Sequence, residues 1–441
     1  KIVFGLGDTG LSIARHLHFK GASFCVYDAT SDPSRLNILQ TEMPEINFFY
    51  GEKPACFLSS FKEVLVSPGV SPKDPLIIDA VKSGAIVKSD LDLFASETTV
   101  PVVGITGSNG KTTVTELVGE MAEKSGIKVA VGGNLGPPAL ELLSDSPEIF
   151  VLELSSFQLE HSESPALAVA SILNLSPDHL DRHCTMGDYF LAKQRIFSGC
   201  EIAVVNRNDL KTHPIEPETY SVRDWGTDFP VSGGVGLCGS DSNLEICLGR
   251  NSLMRVSELS LPGRHNLGNA LAALGIGLAA GFSIEAMITV LKSFSGLPHR
   301  CEFILSKDGV NWINDSKATN TGATAAALEG FGGVRNIILI AGGLNKGDSF
   351  QSLLGPVKKY CKQLVLLGES ADELFDLMSD EVATRRVDSI EEAVAFAEKC
   401  SSGGDLVLLS PACSSFDMFV NYKDRGERFK SAIFDILDVA L

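Results

Sequence analysis

The stretch Val102-Val-Gly-Ile-Thr-Gly-Ser-Asn-Gly-Lys-Thr-Thr113 limits what this chain can fold into more than any other. Val102 to Thr106 reads as a short buried strand, Gly107 to Gly110 as a turn, and Lys111 as the start of an amphipathic helix reaching about Ser125. A strand, a glycine turn and a helix with Lys-Thr in its first turn form a phosphate cradle. Backbone N–H groups of Gly107, Ser108, Asn109 and Gly110 face an anion, Lys111 reaches the β- and γ-phosphates, and a hydroxyl of Thr112 or Thr113 binds Mg²⁺. Ile105 stands where the general pattern has its first glycine, and Gly-x-x-Gly-Lys-Thr alone is also an ordinary turn before a helix. The flanking strand and helix favour the nucleotide.

The 441 residues suggest two to four domains at about 150 residues each. A net charge of −18 excludes nucleic acid and anionic membrane as partners, and any anionic substrate must be met by local basic groups. The ten cysteines show no Cys-x-x-Cys spacing and read as reduced core thiols. No signal peptide opens the chain, and the longest low-polarity run, Ala270 to Phe282, is too short to span a bilayer. These signs place the chain in the cytoplasm.

The expected architecture is α/β in three domains. Residues 1–89 form a Rossmann-like unit, 90–295 a central P-loop-type unit with a small antiparallel β excursion, and 296–441 a second Rossmann-like unit. The first opens with a strand running into Gly5-x-Gly7-x-x-Gly10, and Asp28 follows Gly10 by 18 residues at the end of a second strand. That is a dinucleotide fingerprint, but some 90 residues leave room for one mononucleotide half. It implies a diphosphate at a helix N-terminus and a ribose near Asp28, with the identity of the ligand open.

In the central unit, Glu153 is a lone carboxylate inside the apolar run Ile149–Leu154. Such an acid pairs with a hydroxyl or amide, or binds a metal near a phosphate loop. Ser155 and Gln158 follow at the strand's C-terminal end, where ligands of open α/β sheets sit. His179, between Asp178 and Asp181, is a metal or phosphate contact or simply part of a surface loop. Lys193 lies within a helical stretch, and spacing says nothing of its role. Asn266 and Asn269 share a face at the start of an alanine-rich helix, as caps or as nucleotide contacts. In the third unit, parallel-type strands at Ile337–Ala341, Gln363–Leu367 and Asp405–Leu409 end in turns outlining a cleft.

Taken together, Thr106-Gly-Ser-Asn-Gly-Lys-Thr112, Gly132-Gly-Asn-Leu-Gly136, Leu152-Glu-Leu-Ser-Ser-Phe-Gln158, His299-Arg300, Asn314-Asp-Ser-Lys-Ala-Thr-Asn320 and Leu409-Ser-Pro-Ala-Cys413 resemble the Mur ligases of peptidoglycan synthesis, in family order across essentially the whole chain. Compact length, the Gly5–Gly10 fingerprint and Ser410-Pro-Ala-Cys-Ser-Ser415 are most similar to the D-glutamate-adding members. The resemblance implies an ATP-dependent amide ligase joining D-glutamate to UDP-N-acetylmuramoyl-L-alanine through an acyl phosphate, with Mg²⁺ and a carbamylated Lys193. The alternatives are a relative adding L-alanine or extending folate with glutamate, or a nucleotide binder without catalysis.

Residue by residue, the resemblance assigns the sugar nucleotide to Asp8, Thr9, Asp28, Ser67, Gly69, Asn134, Ser155 and Gln158. ATP falls to the loop residues with Asn266, Asn269, Arg300, Asp315 and Lys317, and metal to Thr112, Glu153, His179 and carbamyl-Lys193. D-Glutamate falls to Lys317, Thr319, Lys346, Ser415 and Tyr422. Lys111, His179 and Lys193 are the catalytic set, with closure of the third domain completing the site of a monomer. Two positions depart from the family pattern. Tyr422 stands where phenylalanine is expected, and Asp8 where an apolar residue is expected near uracil.

Overall fold

The computed structural model describes residues 1–215, 220–230, 233–240, 243–261, 263–345 and 349–437. It contains three sheets, each built mainly from parallel strands. The first joins β1 (Ile2–Phe4), β2 (Cys25–Asp28), β3 (Phe48–Tyr50), β4 (Glu63–Val66) and β5 (Ile86–Ser89) in the order β3-β2-β1-β4-β5. The order reverses beside β1, so the crevice at a doubly wound switch point lies over the glycine loop that follows it.

The second sheet orders β14-β13-β12-β11-β10-β9-β6-β8-β7, from β6 (Val102–Thr106), β7 (Val129–Gly133), β8 (Ile149–Glu153), β9 (Val169–Ile172), β10 (Ile202–Asn206), β11 (Ser221–Trp225), β12 (Val235–Cys238), β13 (Glu245–Leu248) and β14 (Asn251–Arg255). β6 lies between β8 and β9, fully buried, which explains its unbroken apolar character. The excursion is only partly antiparallel: β11 extends the parallel run beside β10, and reversal begins where β12 pairs with β13. There Cys238 and Cys247 are joined in a disulfide, their Cα atoms 6.2 Å apart. The hairpin register sets these two cysteines diagonally opposite each other.

The third sheet runs β15-β16-β20-β17-β18-β19, from β15 (Glu302–Lys307), β16 (Val310–Asn314), β17 (Ile337–Ala341), β18 (Cys361–Leu366), β19 (Ala383–Arg386) and β20 (Leu406–Leu409). Alternation along β17 sends Ile337 and Leu339 into a cluster with Phe350, Val357 and Leu374, and Ile338 and Ile340 into one with Val394, Phe429 and Ile433. Both faces of this sheet are therefore covered.

Packing divides the chain into two compact units. One holds 1–175, 187–254 and 271–290; the other holds 176–186, 255–270 and 291–441. Among the described residues, no helix is long and apolar enough to cross a membrane.

Candidate active site

In the first unit, the phosphate loop leaves β6 through Gly107 (φ +155°) and enters the helix Lys111–Lys124 through Gly110 at φ +82°, a left-handed cap suited to glycine. Asn174, just past β9, pins the turn. Its carbonyl accepts from Ser108 N–H at 3.0 Å, its Oδ1 from Asn109 N–H at 2.9 Å, and its Nδ2 donates to Asn109 O at 2.9 Å, so these two N–H groups, expected to face an anion, brace the turn instead. Sequence reasoning passed over Asn174, which carries no motif of its own; only the parallel pairing of β6 with β9 brings it to the loop.

Lys111 Nζ folds onto the loop, donating to Gly107 O at 2.8 Å and Ser108 O at 2.9 Å. One residue on, Thr112 Oγ1 donates to Glu153 Oε2 at 2.6 Å. Asn134 Nδ2 donates to Glu153 Oε1 at 2.8 Å, and Asn134 N–H to Glu153 O at 2.8 Å. Glu153, 2% exposed, is thus a buried acid with both oxygens bonded, as burial of a carboxylate demands. Gly133 is required here: a Cβ on it would lie 2.3 Å from Glu153 O.

Lys193 is not a solvated helix lysine. It is 1% exposed, its Nζ donating to Thr106 Oγ1 at 3.2 Å and Gly107 O at 3.0 Å, 4.7 Å from the centre of the Tyr189 ring. Tyr189 is a second residue the sequence reading missed; its hydroxyl is 3.0 Å from Ser108 Oγ beneath the loop. Thr113 is buried in the helix's first turn. Ser155 and Gln158 close a capping box on the four-residue helix after β8, and Gln158 Nε2 contacts Asp90 Oδ2 at 3.4 Å. Asp90 is fully buried, and burial pushes its carboxyl up to about 6.

At the first sheet, Asp28 Oδ2 accepts from Leu6 N–H at 2.8 Å and Oδ1 from Thr30 N–H at 2.9 Å, so this carboxylate braces the glycine loop. Ser67 Oγ donates to Gly5 O at 2.7 Å, while Gly69 has open space where a side chain would stand. Asp8 and Thr9 open the helix Asp8–Phe19, Asp8 exposed and Thr9 half-buried.

In the second unit, His179 sits at φ +54° with Nε2 3.6 Å from Asp178 Oδ2, which also accepts from Asn320 Nδ2 at 3.2 Å. Asn266 and Asn269 bond to each other (3.2 Å) at the start of the helix Arg264–Ala279. Asp315, past β16, accepts from Ser410 Oγ at 2.9 Å and Cys301 N–H at 3.2 Å; burial raises its carboxyl to about 6. Arg300 is half-buried beside Cys301.

Lys317 Nζ lies 4.2 Å from the centre of the Tyr422 ring, a cation–π contact that a phenylalanine would also provide. Thr319 is half-buried and Ser415 buried. Arg425, 1% exposed and unforeseen from the sequence, ties these segments together. It donates from Nε to Ser316 Oγ (3.0 Å) and from Nη2 to Ser316 O (2.8 Å) and Cys413 O (3.2 Å). Burial pulls its guanidinium down to about 10. Lys346 lies outside the described residues.

The structure thus gathers Lys111, Thr112, Asn134, Glu153 and Lys193 into one cluster, and Asp315, Lys317 and Tyr422 with Arg425 into another, Ser415 following Ser414 in the chain. Comparison with known proteins gives these clusters a family. Residues 1–89 match the Mur ligase MurD-like N-terminal domain, 105–277 the Mur ligase middle domain, and 299–413 the Mur ligase glutamate ligase domain. A UDP-N-acetylmuramoylalanine–D-glutamate ligase of Pseudomonas aeruginosa is 44% identical over 438 residues, 99% of this chain and 98% of that protein. The enzyme of the same name from Legionella pneumophila is 43% identical over 438 residues, 98% of each chain.

Among solved structures, a pseudomurein peptide ligase type C of Methanothermus fervidus shares the fold at TM-score 0.64 and 19% identity, covering 99% of this chain and 100% of that one. MurF ligase of Thermotoga maritima, in complex with ADP, does so at 0.61 and 17%, covering 99% and 95%. Matched in all three domain families and along nearly its whole length, the chain belongs to the Mur ligase family.

Proposed function

We propose that this chain is an ATP-dependent ligase that joins D-glutamate to UDP-N-acetylmuramoyl-L-alanine in peptidoglycan precursor synthesis. The observation that carries this reading is the buried Glu153, bonded to the phosphate-loop Thr112 and to Asn134. A carboxylate held against a phosphate-loop hydroxyl is placed to share a nucleotide's Mg²⁺ with that hydroxyl, as phosphoryl transfer needs. Whole-length identity of 44% to enzymes named for this reaction supports the same activity.

The acceptor carboxylate is inert to amines until phosphorylated. The γ-phosphoryl group of ATP passes to it, giving an acyl phosphate; the D-glutamate amine attacks that carbonyl, and phosphate leaves as the amide forms. Lys111 follows the γ-phosphoryl group and offsets its charge, while the turn that Asn174 braces and the helix N-terminus beyond it hold the phosphates in line. Among the described residues no three His, Cys, Asp or Glu gather in a ready-made metal cage. The buried Glu153 carboxylate beside the Thr112 hydroxyl is nevertheless a hard-oxygen pair of the kind Mg²⁺ takes with phosphate oxygens. Mg²⁺ supplies charge neutralisation at the phosphates when bound.

Lys193 as an ammonium repels a cation; carbamylated, it becomes an acid, and its burial against Thr106 and Gly107 suits a fixed ligand. His179, oriented by Asp178, is the remaining ligand or the amine's base. ATP contacts extend to Asn266, Asn269, Arg300, Asp315 and Lys317, and D-glutamate to Lys317, Thr319, Lys346, Ser415 and Tyr422. The domains are 1–89 for the sugar nucleotide, 90–295 for ATP and 296–441 for the amino acid, in a cytoplasmic monomer.

The test is phosphate release from MgATP with UDP-N-acetylmuramoyl-L-alanine and bicarbonate, offering D-Glu, L-Glu, L-Ala and meso-diaminopimelate separately. Release with D-Glu alone is expected. Release with another amino acid moves the third-domain assignments, and none with any of them ends the catalytic reading.

A further inference from the structure

The first turn of the helix Asp8–Phe19 presents a contradiction. A glycine loop running into a helix N-terminus offers partial positive charge to a diphosphate. Here the first helical residue is Asp8, 69% exposed at its side chain, whose own charge opposes any anion approaching that end. The structure answers it with Arg35, from the segment after β2, whose Nε donates to Asp8 Oδ1 at 2.5 Å. Only Nε is engaged: neither Nη group of Arg35 has a protein partner among the described residues.

Arg15, further along the same helix, is held by Glu42 and Glu141. Asp28, the acid the fingerprint points to, is occupied with Leu6 and Thr30. In a chain of net charge −18, an anion reaching this loop needs a local cation, and Arg35 stands there with its outer fork open.

We propose that Arg35, tethered by Asp8, is a specificity-determining residue of the sugar-nucleotide site, its Nη groups donating to the diphosphate oxygens. The proposal rests on reading the first domain as the UDP-sugar site. Asp8 is the positioning residue: its carboxylate fixes the Nε edge, so that the opposite edge faces outward and less side-chain freedom is lost on binding. An apolar residue at position 8 would leave the guanidinium untethered.

Titration calorimetry of the full chain with UDP and with uridine, at low and moderate salt, tests this. Wild type should bind UDP, and Arg35→Ala should weaken UDP by roughly tenfold or more while leaving uridine unchanged. Arg35→Lys should recover part of the loss, and the deficit should narrow as salt rises. Asp8→Ala should weaken UDP by a smaller factor, while in the Arg35→Ala background the same change should cause no further loss and, by removing an unneutralised carboxylate, should recover part of the affinity. In steady state, Arg35→Ala should raise KM for the UDP-sugar and leave kcat and the KM for ATP in place.

Unchanged UDP affinity in Arg35→Ala overturns the proposal, and so does an equal loss for UDP and uridine, which would place the contact on the base. Wild type that binds no UDP fails the sugar-nucleotide reading itself. Both positions are solvent-facing, so the variants should fold normally, and unchanged ATP binding verifies that.

Discussion

Around the phosphate loop, most chemistry-bearing groups come from one short stretch, Thr106 to Thr113, and from the ends of strands paired directly or at one remove with β6, joined by Lys193 and Tyr189 from the helix Met186–Gln194. In the third sheet, the polar cluster is assembled from Cys301, Asp315–Ser316, Ser410–Ser414 and Arg425, more than a hundred residues apart in places. The loop's shape rests on its own backbone, at Gly107 and Gly110, and on one neighbouring residue, Asn174, which bonds it through both main chain and side chain. The other cluster's shape rests on side chains, above all a buried guanidinium holding backbone carbonyls. Removing a side chain should therefore strike chemistry in the first and folding in the second.

The largest effect expected is Lys111→Ala. The lysine is half-buried and donates to two loop carbonyls that water can reach once it is gone, so the loop should survive. Phosphate release should fall by about a thousandfold or more, with the melting temperature nearly unchanged. A melting temperature that drops alongside activity would break the comparison, since the loop would then be held by its side chains.

Arg425→Met is next. It removes the bonds from Arg425 to Ser316 O, Cys413 O and Ser414 O; Ser414 O keeps the Leu344 N–H, while Ser316 O and Cys413 O lose the guanidinium donors. Loss of roughly 3 kcal/mol is expected in chemical denaturation. Arg425→Lys, with a single point of donation, should fall between. Wild-type stability in Arg425→Met would mean that the guanidinium serves the ligand alone.

The same contrast accounts for what could be read beforehand. The phosphate loop, Glu153 and the glycine fingerprint are local patterns whose partners follow from strand pairing, so position in sequence approximates position in space. Lys193 was opaque to spacing, because a helix lysine turned inward looks like one turned outward; only the Tyr189 ring and the Thr106 hydroxyl distinguish them. Asn174, Tyr189 and Arg425 have no local signature, and their roles exist only once distant segments meet. Arg35 was missed for the same reason, although Asp8 had already stood out as misplaced.

The smallest effect sharpens the comparison through two acids. Asp315 and Asp90 both titrate near 6 because burial disfavours the charged form, one in each compact unit. In the unfolded chain an aspartate releases its proton near its ordinary value of 3.8. Between that value and about 6 the folded protein holds the proton that the unfolded chain has lost. Stability therefore falls as pH rises through this window and stays lower above it.

Asp315→Asn removes the charge from its site, so the decline between pH 4 and 6 should shrink by on the order of 1–2 kcal/mol. Asp90→Asn should flatten the same window from the other unit. Among the described residues the one side-chain partner of Asp90 is Gln158, at 3.4 Å, against Ser410 at 2.9 Å for Asp315, so the better-solvated Asp315 should show the smaller gain. Denaturant melts of both variants from pH 4 to pH 8 decide it. A larger gain at Asp315 would mean that its cluster is less completely bonded than the geometry indicates, and that the third sheet carries the greater electrostatic strain.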